Sequence, residues 1–183
     1  MTSFFGYGSL VNTATHSYPN TRHATVQGWR RHWVPSNRRE VCFLSVEPHP
    51  GAAIQGLIAD VAPLSWNDLD KRELAYTRAR LVDSDIDHPD AASIQMYRAD
   101  PDFVAKNATG KHVLLSYLDC VVQGFLCEFG KDGVTNFFHS TTNWQVKIRN
   151  DRANPIYPRA QTLTAVETAL VDAQIEKMSI EVV

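Results

Sequence analysis

The sequence predicts an α+β fold, and three observations carry that expectation. Aromatic and β-branched runs broken by glycine and proline fill the first sixty residues. A short amphipathic stretch follows near residues 63–76. Beyond residue 110 the apolar positions recur at helical spacing. Strands come first, one helix is inserted, and the remaining helices pack on the sheet.

Phe4 and Phe5 open a strand over 4–8, since aromatic residues favour a pleated, half-buried surface. Gly6-Tyr7-Gly8-Ser9-Leu10 follows directly. Its glycines permit either a plain tight turn or a loop whose backbone approaches a ligand and whose amides hold an anion. A second strand spans 24–34, with Gly28 as a bulge or close-packing point. A third covers 40–47 and a fourth 54–61. Between them Pro48-His49-Pro50-Gly51 predicts a turn joining antiparallel neighbours.

Helix signals begin at Pro63-Leu64-Ser65, with Ser65 as cap and Asp68 favourable to the helix dipole. Trp66, Leu69, Glu73 and Tyr76 are spaced by three and four, so they share one helical face. Glu73 thus falls in an apolar stripe, where a carboxylate is costly unless paired or neutralised. Two roles fit: a structural tie to Arg72, Arg78 or a backbone amide, or a general base and acid with a raised pKa. Further strands are predicted over 78–85 and 93–98, around an acid-rich loop at 83–90.

Leu114, Leu118, Val121 and Phe125 predict an amphipathic helix over 111–129, with Tyr117 beside its stripe as a core-edge aromatic. A short helix follows at 132–139, and prolines make 150–158 irregular. Thr164-Ala165-Val166-Glu167 is a capping box opening a final helix, with Leu163, Val166, Leu170 and Ala173 inward.

With 183 residues, 44% hydrophobic, the chain suits a single domain over 1–183. A net charge of -2 without basic blocks argues against nucleic acid. Arg30-Arg31 and Arg38-Arg39 lie beside Trp29 and Trp33, which alternation along a strand explains. No apolar stretch is long enough for a bilayer, and no secretion signal is visible. Cys42, Cys120 and Cys127 read as buried thiols of a reducing compartment, so a soluble cytoplasmic protein is expected. The seven histidines show no ligand spacing, and the loop around His88 fits no tidy set, so neither a metal nor another cofactor is expected. A monomer is the default.

Phe5-Gly6-Tyr7-Gly8-Ser9-Leu10, Leu69-Asp70-Lys71-Arg72-Glu73-Leu74-Ala75-Tyr76 and Ser116-Tyr117-Leu118-Asp119 with Gly124 occur in this order. Together they resemble the gamma-glutamylcyclotransferase superfamily, which includes ChaC-type enzymes and AIG2-like proteins. The resemblance implies a small mixed β-barrel flanked by helices and a small-molecule gamma-glutamyl substrate. It implies that Tyr7, Gly8, Ser9 and Leu10 hold the glutamyl group, that Tyr117 lines the pocket, and that Glu73 is the acid–base catalyst. ChaC-type enzymes carry Arg-Glu-x-x-Gly-Tyr, one residue longer than Arg72-Glu73-Leu74-Ala75-Tyr76, so glutathione is not singled out. A catalytically silent pocket is the competing expectation. Ser9 as a nucleophile is weaker, because no Gly-x-Ser-x-Gly elbow surrounds it.

Overall fold

Strand β1 (Thr2–Gly6) runs through the middle of a six-stranded sheet of order β4-β5-β1-β3-β2-β7. The computed structural model describes residues 2–88 and 91–183. In chain order the strands are β2 (Arg22–Pro35), β3 (Cys42–Val61), β4 (Tyr76–Arg80), β5 (Ile94–Ala99), β6 (His112–Leu114), β7 (Thr141–Thr142) and β8 (Lys147–Arg149). β1 pairs antiparallel with β3 and parallel with β5, while β6 and β8 form a separate parallel pair. Three α-helices among the described residues complete the fold: α1 (Trp66–Arg72), α2 (Leu115–Ser140) and α3 (Ala165–Lys177). The mixed architecture is the one expected. Its sheet is open among the described residues, with β4 and β7 at the two edges rather than joined into a barrel.

Alternation along β1 divides the interior. Phe5 joins the large core beneath α2, whereas Phe4 joins a smaller one with Leu10, Ala59, Val61, Trp66, Leu69 and Tyr97. Both phenylalanines are almost fully buried, so β1 is covered on both faces and delivers the Tyr7–Leu10 loop at its end. α2 then clamps that loop. Asn12 Nδ2 donates to the Cys120 carbonyl at 2.8 Å and to Gln123 Oε1 at 3.0 Å. Gly124 lies so close that a Cβ there would stand 2.7 Å from the Asn12 nitrogen and Cα.

Several local expectations are corrected. Pro48–Gly51 is no connecting turn, because β3 continues through it and pairs with β2 on both sides. The register jumps from Gln27↔Ala53 to Trp29↔Pro48, so residues 49–52 bulge opposite Gly28. Gly28 (φ +75) and Gly51 (φ +83) supply the left-handed backbone for this bulge. The turn joining β2 to β3 is instead at 36–41, where Ser36 N donates to the Val41 carbonyl.

α1 ends at Arg72, with Glu73 as its C-cap and Tyr76 already in β4. Pairing of β4 with β5 overrides the helical spacing, as tertiary contacts do for a helix this short. Trp66, Leu69 and Tyr76 still meet in the smaller core. Ser65 makes no capping bond, because Pro63–Ser65 forms a 3-10 turn leading straight into the helix.

β4 stops at Arg80, short of the predicted 85, and Pro89 and Asp90 of the acidic loop lie outside the described residues. α2 begins after β6 rather than at 111, because residues 112–114 pair with β8. Its break at Gly130 (φ 65, ψ -166) separates the two helices predicted there. The capping box at Thr164 and Glu167 is formed. Leu163 and Leu170 pack against the core as expected, but the buried residues of α3 are Val171, Gln174 and Ile175, while Val166 is 75% exposed and Ala173 is also exposed. Cys42 and Cys120 are buried but Cys127 is exposed. No helix among the described residues is long and apolar enough to cross a membrane.

Gly124→Ala is expected to destabilise the protein by about 1–3 kcal/mol, since the added methyl must push Asn12 and its loop off α2. Urea unfolding monitored by tryptophan fluorescence reads the change.

Candidate active site

Tyr7, Gly8, Ser9, Leu10, Glu73 and Tyr117, all chosen from sequence, line one recess. Phe5, Gly6, Leu44, Tyr76 and Tyr97 complete its wall. The loop is held at several points. Tyr7 Oη donates to the Tyr97 carbonyl at 2.7 Å, and the Tyr7 carbonyl accepts from Arg31 Nε at 2.8 Å. Leu10 turns into the smaller core while its carbonyl contacts His16 Nε2 at 3.0 Å. Only glycine fits at position 8, where a Cβ would stand 2.8 Å from Tyr117 Oη and 3.1 Å from Leu44 Cδ2. Among the described residues the N–H groups of Gly8 and Ser9 have no acceptor. The loop is therefore more than a plain turn: it presents two free backbone donors.

Glu73 reaches this recess from the end of α1. Its side chain is 14% exposed, and Oε1 lies 3.2 Å from Arg72 Nε. Of the partners open to it in sequence, Arg72 is the one taken; Arg78 instead pairs with Asp70 at 3.2 Å and covers the Trp66 ring at 4.8 Å. Arg72 is itself fixed, donating to the Thr15 carbonyl and hydroxyl at 3.0 Å each and to Ser9 Oγ at 3.4 Å. Burial raises the Glu73 pKa, and the cations Arg72 and Arg159 offset only part of that rise. The carboxylate is paired yet more basic than an ordinary glutamate.

Tyrosines surround it. Tyr76 Oη donates to the Leu44 carbonyl at 2.8 Å, and Tyr97 Oη donates to Asp70 Oδ1 at 2.6 Å. Burial pushes the hydroxyls of Tyr7, Tyr76 and Tyr117 well above the ordinary tyrosine range, so each remains a neutral donor. The Tyr117 ring packs edge-on to Trp33 at 5.9 Å and to Tyr157 at 5.0 Å. Tyr117 is thus both a core-edge aromatic and part of the recess wall.

Tyr157 and Arg159 come from the segment that the sequence leaves without a motif. Buried Asp151 holds that segment in place, accepting from Ser116 N at 2.8 Å, Ser116 Oγ at 2.6 Å and Ile156 N at 2.8 Å. Arg152 adds a bidentate pair with Asp119, both contacts 2.7 Å, and reaches Asp172 at 2.7 Å. Ser116 and Asp119 of the Ser-Tyr-Leu-Asp motif therefore serve as latches, and between them they set Tyr117 against Tyr157. Tyr157 also interacts with Ser9. The Ser-Tyr-Leu-Asp motif signals the near side of this latch, but nothing in the sequence pairs it with residues 151–159.

The recess is small, about 30 Å³, room for about one water. Chemically it combines one basic carboxylate, two unpaired backbone donors and a cationic partner in tyrosine-lined surroundings. The Ser9 side chain is engaged by Arg72 and Tyr157 rather than by a histidine.

No protein-family model and no curated protein sequence matches the chain. Solved structures do match its fold. A gamma-glutamyl cyclotransferase aligns over 94% of this chain and 98% of its own at 12% identity and TM-score 0.57. An uncharacterized protein from Homo sapiens aligns over 93% and 98% at 11% identity and TM-score 0.55. YkqA from Bacillus subtilis aligns over 75% of this chain at 14% identity and TM-score 0.58, and this chain spans 53% of its length. The chain has the gamma-glutamyl cyclotransferase fold.

Asp151→Asn is expected to cost about 2–4 kcal/mol, because three bonds to a buried carboxylate are weakened together. Limited proteolysis should then cut within 152–160 while the remainder of the chain stays resistant.

Proposed function

We propose that the protein cyclises a gamma-glutamyl amide to 5-oxoproline and releases the amine. The substrate's α-amine attacks its own γ-carbonyl carbon; the new C–N bond closes the five-membered ring as the original amide C–N bond breaks. Glu73 takes the proton that the attacking nitrogen must lose and returns it to the leaving nitrogen. Acid–base help of this kind is worth about 10²–10⁴-fold. Holding the flexible glutamyl chain so that amine and carbonyl meet supplies a further large share of the rate. The free N–H groups of Gly8 and Ser9 are the donors for the carbonyl oxygen as it gains charge. The reaction calls on no cofactor.

The observation that carries this reading is the Glu73 carboxylate, made more basic by burial and held in the same recess as those two donors. The shared fold with a gamma-glutamyl cyclotransferase supports it. The leaving amine is an amino acid, a peptide such as that of glutathione, or a simple amine. A second reading is a silent small-molecule binding protein with the same pocket, and either reading requires the recess to widen. A gamma-glutamyl group must displace wall side chains to fit where about one water fits now.

Release of 5-oxoproline from gamma-glutamyl dipeptides, glutathione and gamma-glutamyl amines tests the two readings. Glu73→Gln is expected to lower kcat by at least about 10²-fold in a protein that still folds. No turnover on any member of the panel would leave the binding reading.

The pH dependence has a definite sign. Glu73 acts when ionised, and burial raises its pKa above the ordinary 4.5. Activity is therefore present above the raised value and lost as pH falls through it. The acid limb of kcat/KM is expected to lie above 4.5; a limb at or below that value would remove Glu73 as the base.

A further inference from the structure

Arg31 is fully buried on β2, and among the described residues no carboxylate pairs with it. Its partners are neutral. Nε donates to the Tyr7 carbonyl at 2.8 Å, Nη1 to Ser140 Oγ at 2.8 Å, and Nη2 to the Gln55 carbonyl. The guanidinium also lies over the Phe125 and Phe137 rings, at 5.0 and 5.4 Å from their centroids. A buried cation without a counterion is expensive, and an apolar side chain of similar volume would fill this space at lower cost. Burial lowers even this guanidinium's pKa to about 9. The choice of arginine calls for a reason other than packing.

Its bond to Tyr7 supplies one. The Tyr7–Gly8 peptide is trans, as are all those described, so its C=O and N–H point in opposite directions across a planar unit. With the carbonyl drawn into the core by Arg31, the Gly8 N–H is turned away from the core. Gly8 lines the recess, and that N–H has no acceptor among the described residues. A peptide whose carbonyl accepts a charge-assisted bond is polarised into a better donor at its nitrogen.

We infer that Arg31 is a positioning residue for catalysis: it locks the Tyr7–Gly8 peptide so that the Gly8 N–H faces the reacting carbonyl, and it strengthens that donor with a buried positive charge. Arg31 touches no substrate and acts only through the peptide. The inference rests on the cyclotransferase reading for its catalytic consequence, while the peptide orientation stands on geometry alone.

Arg31→Met and Arg31→Lys, compared with wild type, test it by 5-oxoproline release and by the Gly8 amide resonance in ¹⁵N-labelled protein. In Arg31→Met, kcat is expected to fall about 10²-fold, the cost of losing one oriented donor. KM should change less than about threefold, and the acid limb set by Glu73 should not move. Arg31→Lys should recover about tenfold, and the Gly8 amide proton should move upfield in the methionine variant. A folded methionine variant with wild-type kcat, or with an unmoved Gly8 resonance, overturns the inference. Should neither variant fold, the unmodified protein decides: on saturation with 5-oxoproline the Gly8 amide and Arg31 Nε–H resonances should shift together. A Gly8 shift without an Arg31 shift, or no shift in either, overturns it. Wild-type protein without turnover would instead overturn the cyclotransferase reading, and the substrate-free Gly8 comparison would still decide whether Arg31 sets this peptide.

Discussion

Arg72 is the junction on which the site depends. Its side chain is only 7% exposed, and its guanidinium meets Glu73 on one side and Thr15 and Ser9 on the other. That ties the end of α1 to the loop that follows β1, two segments with no shared strand or helix. A carboxylate this desolvated would otherwise bind a proton or turn outward. Arg72 keeps it in place, and together with Arg159 it offsets only part of the effect of burial, so the group stays basic and stays put. Four bonds on one guanidinium also explain the choice of arginine, since a lysine ammonium lacks the planar fork that reaches four acceptors at once.

What the sequence made legible follows from how local the signals were. The β1 strand and its glycine loop were readable because two aromatics and two glycines fall within a few residues. The inward position of Glu73 was readable too, although the helix that was to carry it stops one residue earlier. Trp66, Leu69 and Tyr76 still gather in one core, because a strand that turns back on a short helix brings the same side chains together. The phase of α3 was only half legible: Leu163 and Leu170 do face the core, but its face is set by α2, and a weakly amphipathic helix does not announce how far round that face extends. Pro48–Gly51 misled for a related reason. Proline and glycine mark irregular backbone, and a bulge within a long hairpin satisfies them as well as a turn between strands does.

Tyr97, Tyr157 and Arg31 belong to the site through tertiary contacts alone. Tyr97 comes from β5, which pairs in parallel with β1 across a long connection. Arg31 sits among Trp29, Arg30 and Trp33, in a run whose alternation suggests only a half-exposed strand. Its burial depends on Phe125 and Phe137, roughly a hundred residues away. No spacing rule encodes such an encounter. The tyrosine ring around Glu73 is likewise assembled from five separate segments, which is why composition and periodicity gave no sign of it.

The latch formed by Asp151 and Ser116 has a consequence for the protein's birth. Tyr157, on the segment this latch holds, packs against Tyr117 and interacts with Ser9 of the loop that follows β1. During synthesis at about 5–20 residues per second, β1 and its glycine loop exist for many seconds before Tyr157 emerges. A half-made chain thus carries the loop and Glu73 before the Tyr157 ring is present to pack on Tyr117. A product that stopped before residue 151 would carry the loop and Glu73 but lack the Tyr157 contacts on Tyr117 and Ser9.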